Sequence, residues 1–370
     1  MTNQDMYWLW LLNIPGITRN RIRKMLSVYR SPEQLYYAAY DDLEHFFKNE
    51  QQRQRFLEWR NMDKTYALYE KMQKSNIGFV HYQSEHFPGK LKQIPDSPLG
   101  LYYKGKLPDE NKKTIAIIGA RNCTRYGKEM AQYFGRELAK QGVQIVSGLA
   151  RGIDGCAHRG ALQGNGYTIG VLGGGIDQVY PKENFELFLS MEQHGGIVSE
   201  SNMGIKPYAA LFPERNRLIS GFCDGILVVE AMEKSGTFIT VDQGLDQGKD
   251  IFSVPGRILD EKSAGCNRLI KLGAHIVTDV TDILDMYFSR EEIPHFINPA
   301  YYKETMIQKM SLAPTEKMVY SCLQIEPKYL DEIIAEVNLA PQDICRILNR
   351  LILLNMIEEV SCNYYGLKIG

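Results

Sequence analysis

No cysteine pair in this chain of 370 residues is spaced as C-x-x-C, and its seven cysteines, Cys123, Cys156, Cys223, Cys266, Cys322, Cys345 and Cys362, are dispersed and odd in number. That argues against a disulfide framework or a cysteine-built metal site and leaves reduced packing residues. Long apolar runs are lacking too: nothing approaches the roughly 18 residues of a membrane span. The opening MTNQDMYWLWLLNIPGI has an apolar centre but no preceding basic region and no small-residue cleavage site, so it does not read as a secretory signal. A cytoplasmic protein with no membrane partner is the expectation. An excess of either charge is also missing, since 43 Lys and Arg face 44 Asp and Glu for a net charge of −1. Without a bulk basic footprint, any site for a polyanion has to be local.

Two glycine signatures are absent. GARNCTRYG supplies Gly119 but no G-x-G-x-x-G follows, and the second strand of that region ends in Ser147 and Gly148 where a dinucleotide fold would want a ribose-binding acid. No glycine loop runs into Gly-Lys-Ser/Thr, which removes the P-loop. Neither a cofactor nor a metal is expected.

What is present is enough chain for two or three domains. Residues 1–74 read as a helical domain, with apolar residues three and four apart in MYWLWLLNI, TRNRIRKMLSVY, SPEQLYYA and DKTYALYEKMQKSN. The turn NIPGIT between the first two is similar to a helix-hairpin-helix loop, but Thr18 stands where a second glycine is common, which favours a structural role over phosphate binding.

The texture changes in the stretch assigned to 75–287. TIAIIG, VQIVSG, YTIGVLG, GIVSE, DGILVVE, DIFSVPG and AHIVT alternate with helical patterns. Continuous Val/Ile runs between helices predict an α/β fold with a Rossmann-like, doubly wound parallel sheet covered on both faces. Residues 288–310 read as a linker with two prolines, and 311–370 as three helices and a hairpin, a winged-helix pattern. That last module has five basic residues, Lys317, Lys328, Arg346, Arg350 and Lys368, against eight acidic ones, net −3, and is poorly suited to phosphates.

In such a sheet ligands sit beyond the carboxyl ends of the strands. Small-residue loops follow four of them: GARNCTRYG, SGLARGIDGCAHRG, GGGIDQVYPKEN and EAMEKSGTFIT. Backbone amides there approach an anion closely, and the helix starts behind them add partial positive charge. Arg121, Arg125, Arg151, Arg159, Lys182, Arg215, Arg217 and Lys234 lie on these loops or on FPERNRLISG, which makes a local polyanion site on a nearly neutral protein. Tyr180 and Phe212 lie beside it, and ring faces stack unpaired bases. Arg215 and Arg217 are expected to hold phosphates, with Asn216 ordering the loop or meeting a base, so that removing both arginines should weaken binding without unfolding the protein.

Taken in order, GARNCTRYG, SGLARGID, GGGIDQVYPKEN, FPERNRLISG, KSGTFIT and the VPG…GCNRLIKLGA segment closely resemble the DNA processing protein A (DprA/Smf) family over about residues 75–290. The resemblance implies a cytoplasmic homodimer that binds single-stranded DNA, protects incoming strands during natural transformation and loads the RecA recombinase. By motif match it implies a DNA-contacting set of Gly119, Ala120 and Arg121; Ser147, Gly148, Arg151 and Gly152; Lys182; Phe212, Arg215, Asn216 and Arg217; and Ser235, Gly236 and Thr237. No motif pins a dimer interface.

Two other readings compete. The same loops resemble the LOG phosphoribohydrolases, whose Gly-Thr-x-x-Glu supplies a catalytic acid; here that register runs from Gly236 to Thr240 and the acid is missing. Glu200 and Glu230, both at strand ends, could form an acid/base pair, although capping loop amides or pairing with arginine is the commoner fate of such residues. Asp154 and His158 share a helix face but lack a third metal ligand, so bracing the ARGID loop suits them better. No catalytic residue is assigned and no enzyme is expected. A DNA regulator acting through the C-terminal module is the third reading, weakened by that module's acidity.

Overall fold

The computed structural model describes residues 2–289, 312–323, 327–337, 339–354 and 356–367. From residue 290 on, the expected linker at 288–310 lies outside them. The chain divides into two compact units, one of Met1–Cys123 with Met130–Val280 and the other of Thr124–Glu129 with Thr281–Gly370.

The first unit opens with α1 (Asn3–Leu12), α2 (Arg19–Tyr29), α3 (Pro32–Tyr36), α4 (Glu50–Glu58) and α5 (Met62–Lys74), with a 3-10 turn over Asp41–Phe46. Their starts are set by short polar caps. Thr2 and Asp5 form a capping box on α1, and the Thr18 hydroxyl accepts from the Arg21 N–H to begin α2, so the threonine in the NIPGIT turn serves as a helix cap. Trp8, Trp10, Leu35, Leu43 and Phe56 bury together with Leu99 from the next segment, which makes these helices part of the same compact unit as the sheet.

Then follow β1 (Gly78–His81), α6 (Gly89–Lys92), β2 (Gly100–Gly105), β3 (Thr114–Gly119), α7 (Arg125–Lys140), β4 (Gln144–Ser147), α8 (Ile153–Gln163), β5 (Thr168–Leu172), α9 (Phe185–His194), β6 (Gly196–Ser199), α10 (Leu211–Phe222), β7 (Gly225–Glu230), α11 (Thr237–Asp246), β8 (Asp250–Ser253), α12 (Glu261–Lys271) and β9 (His275–Ile276). Among the described residues these nine strands form one sheet in the order β1-β2-β6-β5-β4-β3-β7-β8-β9. From β6 to β9 every pairing is parallel. The expectation of an all-parallel sheet is corrected at one edge, where β2 runs antiparallel to both β1 and β6.

Helices cover both faces, and the strand period of two shows it. On β6, Val198 joins the core that contains Leu218 and Phe222 of α10, while its neighbour Ile197 joins the core that contains Leu187, Phe188 and Met191 of α9. A strand buried this way cannot alternate polar and apolar residues, which is why TIAIIG and GILVVE are nearly all apolar.

On α8, His158 is buried and its Nδ1 lies 2.6 Å from the Thr168 hydroxyl, which donates to the Ile145 carbonyl at 3.1 Å. The hydroxyl proton is thus spent, so His158 donates from Nδ1 and stays neutral. Burial pulls its pKa down from the usual histidine value to about 3. The unfolded chain takes this proton below about pH 6.5 and the fold does not until near pH 3. Its contribution to stability is therefore complete above pH 6.5 and declines on acidification, by about 1.4 kcal/mol per pH unit. Urea titrations of wild type and His158→Gln between pH 6.5 and 4.5 should show a shallower pH slope in the variant; equal slopes would remove this histidine as the cause.

The second unit contains α13 (Thr281–Tyr287), α14 (Pro314–Cys322), β10 (Lys328–Tyr329), α15 (Leu330–Val337), α16 (Pro341–Leu353), β11 (Ile357–Ser361) and β12 (Tyr364–Leu367). The last three strands pair as β10-β12-β11, and Val319, Ile333, Ile344, Leu348, Leu351 and Ile357 close a core of their own.

Candidate functional site

In the strand order, β3 lies between β4 and β7, the place where chain connections leave in opposite directions and a doubly wound sheet opens a crevice. Two adjoining hollows of about 280 and about 730 Å³ occupy it, sharing Arg121, Asn122, Ala150, Tyr180, Pro207, Phe212 and Arg215. The smaller runs under the loops after β4 and β5, past Gly148, Arg151, Gly173 and Gly174. The larger extends over Gly119, Ala120, Asn216, Lys234, Ser235, Gly236, Thr237 and Lys262.

The opposed fates of Arg215 and Arg217 follow from helix geometry. Both sit on α10, and residues two apart on a helix point to different sides. Arg215 faces the crevice but is only 6% exposed, and its Nη1 donates to the Gly148 carbonyl at 2.6 Å and to that of Val171. Burial draws its pKa down to about 10 while Asp154 opposes the shift. Arg217, 7% exposed, points away and lines neither hollow; its Nε meets Asp96 at 3.0 Å and its Nη2 meets Glu200 at 2.6 Å. The expected phosphate role of Arg217 is thereby corrected: its charge is already spent on two carboxylates. Neither arginine is a solvated cation, so each also has a structural part that the sequence did not reveal.

The loop after β4 carries its own anion. Asp154 accepts from the amides of Gly148 and Ala150 at 3.2 and 3.4 Å, so these N–H groups are taken by a carboxylate. Burial raises the pKa of Asp154 against the pull of Arg215. Gly148 is glycine for a steric reason, since a Cβ there would strike the Arg215 guanidinium. Gly152, at φ +76°, would press a side chain into the Ala120 carbonyl. Ser147 is buried with its hydroxyl on the Ile117 carbonyl at 2.6 Å. Ser147 and Gly152 therefore build the loop and line neither hollow. Lys182 is exposed beside Glu183, which pairs with Arg151, and it lies outside both hollows.

What the crevice offers a ligand is Arg121, exposed, its guanidinium 4.8 Å from the centroid of the Phe212 ring, with Tyr180 beyond at 5.9 Å between ring centroids and 34° between planes. Lys234, Lys262 and Arg151 add cations, and Ser235 to Thr237 lead into α11. Sequence reasoning missed Lys262, Tyr208 and Asn184. Lys262 is the second residue of α12, behind β8, and one more strand end would have found it. Asn184 donates to the carbonyls of Leu149 and Ala150, both at 3.0 Å, and ties the YPKEN segment to the β4 loop.

Of the two carboxylates weighed as an acid/base pair, neither lines the crevice. Glu200 is held by Arg19 and Arg217, each at 2.6 Å, and burial pushes its pKa up to about 7 against the pull of Arg19. Glu230 is buried at the end of β7. Thr240 lines the larger hollow at the position where the LOG register would need an acid. Among the described residues no group of three His, Cys, Asp or Glu side chains is placed to share a metal, and no helix is long and apolar enough to cross a membrane.

Fold and crevice together define a doubly wound α/β protein whose strand-end loops present arginine, lysine and ring faces in one cleft. More particularly, the chain belongs to the DprA/Smf family: the model of DNA recombination-mediator protein A matches residues 78–288. It is 40% identical over 213 residues to DNA processing protein DprA of Bacillus subtilis, covering 57% of this chain and 72% of that one. With protein Smf of Synechocystis it shares 29% identity over 388 residues, covering 96% and 97% of the two chains. The solved DNA processing protein A of Streptococcus pneumoniae superposes with a TM-score of 0.67 at 32% identity, over 78% of this chain and 99% of that one. That of Helicobacter pylori, solved for its single-stranded DNA binding mode, gives a TM-score of 0.51 at 29% identity over 57% and 94%.

Proposed function

We propose that the chain binds single-stranded DNA in the crevice at the end of β3, holding phosphates with Arg121, Lys234 and Lys262 and stacking bases at Tyr180 and Phe212. The observation that carries this is an exposed guanidinium set over a ring in an open cleft, which offers a backbone phosphate and a base face in one place. The single-stranded DNA binding of the Helicobacter pylori relative supports it. Arg121→Ala is expected to weaken binding of a fluorescent oligothymidylate and to flatten the log–log salt dependence by about 0.7, the loss of one phosphate contact. Unchanged affinity and slope would remove Arg121 from the site.

Membership of the family extends the reading to a cytoplasmic homodimer that protects incoming strands in natural transformation and loads a RecA-type recombinase. A monomer by sedimentation, or a protein that leaves recombinase assembly on single strands unaltered, does not fit it. Residues 1–74 serve as an accessory helical domain. The elements of 312–367 serve as a winged helix whose net acidity suits a protein partner better than DNA. We further propose that the chain acts by binding alone, because a threonine stands where a phosphoribohydrolase of similar loops carries its acid. Release of free base from nucleoside monophosphates would overturn that.

A further inference from the structure

The helical hairpin near the N-terminus is anchored to the sheet. Asn13 Nδ2 donates to the Tyr102 hydroxyl at 2.7 Å, Asn202 Nδ2 donates to the Leu12 carbonyl at 3.0 Å, and Arg23 donates to the Ser97 carbonyl. These contacts put Arg19, the first residue of α2, among acids: its guanidinium is 2.6 Å from Glu200, 3.0 Å from Asp96 and 3.8 Å from Glu214. Glu200 and Asp96 are the same carboxylates that hold Arg217. Two guanidiniums from different helices are thus bridged by two shared acids.

We infer that Arg19 is a positioning residue for the crevice: through Glu200 and Asp96 it fixes Arg217 and with it α10, whose other side presents Phe212, Arg215 and Asn216 to the ligand. A helix transmits such a constraint because its backbone is stiff and one turn separates the two faces. The amide groups of Gln243 on α11 and of Gln247, which caps its end, also hold α10, donating to the carbonyls of Pro213 and Arg217 at 3.2 Å each, so removal of Arg19 loosens the helix without freeing it. Without Arg19, Glu200 keeps one guanidinium, and its Oε1 is already buried with no hydrogen-bond partner among the described residues.

The inference rests on the proposed single-strand binding, and the test separates the two. In the full-length protein, Arg19→Ala should weaken oligothymidylate binding about tenfold, the scale of coupling inside one ion-pair network, and leave the salt slope at its wild-type value because no phosphate contact is lost. Arg19→Lys, which keeps a cation among the acids, should recover part of the affinity. Independently of DNA, amide hydrogen exchange over 211–222 should quicken in Arg19→Ala while the strands keep their protection. Wild-type affinity together with wild-type exchange in that segment overturns the inference. A reduced salt slope also overturns it, since Arg19 would then be touching phosphate itself. If the wild-type protein fails to bind single strands, the functional reading falls, and the exchange measurement alone decides whether Arg19 steadies α10.

Discussion

Replacing Arg215 by alanine is expected to destabilise the fold by about 2–4 kcal/mol, the cost of leaving buried carbonyls without a donor and a nearby buried carboxylate less compensated. The side chain is almost wholly buried, its hydrogen bonds go to the carbonyls of Gly148 and Val171, and its charge faces Asp154. Deletion takes the guanidinium donor from the carbonyls of Gly148 and Val171 and removes the larger of the two arginine charges that favour the Asp154 carboxylate. The pH signature follows from Asp154. Burial already raises its pKa in the fold, and loss of Arg215 raises it further. A carboxyl whose folded value exceeds its unfolded value binds protons more tightly in the native state, so the variant loses stability as pH rises between the two values. The deficit in urea titrations should therefore shrink as pH is lowered from neutrality toward the ordinary carboxylate range. Adding Asp154→Asn should also cost less than the two single changes summed, because the residues share one network. A variant within about 1 kcal/mol of wild type would show that this arginine does not hold the β4 and β5 loops.

Single strands are expected to bind more tightly than matched duplex by on the order of a hundredfold, since a base has to leave its stack to reach the rings and unstacking costs a few kcal/mol. Tyr180 and Phe212 already lean on one another, but Tyr180 is 45% exposed and leaves a face for an incoming base. Base preference should be slight, because stacking and phosphate contacts tolerate any sequence. Tyr180→Ala should narrow the gap between strands, and Arg121→Ala should lower both affinities together. Anisotropy titrations with single-stranded and duplex oligonucleotides of one sequence, at near-physiological salt, are the measurement. Equal affinities would leave a crevice that reads only negative charge.

Six of the seven parallel strands were legible because burial forces nearly continuous apolar runs; β9 is exposed and was read from the apolar residues of AHIVT alone. Gly78–His81 and Gly100–Gly105 escaped notice for the converse reason: both are only partly buried and begin with glycine, Gly78–His81 lies at the sheet's edge, and Gly100–Gly105 carries two tyrosines and a lysine. Glu50–Glu58 escaped because Phe56 is the one residue it buries among nine, so it leaves no period in the sequence. The crevice was legible as a set of strand-end loops. The internal pairings were not: that Arg217 turns to Asp96 and Glu200 depends on a loop 121 positions away and on a strand end 17 positions away, and that Asp154 takes the amides of Gly148 and Ala150 depends on the path of a loop. Residue type marked these positions as polar and mobile in charge, while only the fold decides which charges are left for a ligand.

The contact between Gly148 and Arg215 bears on how this crevice could be transplanted or diversified. The two residues are separated by 67 positions in the chain, yet the guanidinium of one fills the space that the missing side chain of the other leaves free, and the carbonyl of Gly148 accepts from Arg215. They behave as a single two-part component. A scaffold given the arginine without the glycine would have to expel the guanidinium, and one given the glycine alone would carry a hole and a bare carbonyl. Joint variation of the two sites with Asp154 is therefore the way to explore alternative ties between these loops, since a change at one alters the space or the hydrogen-bond partner of another.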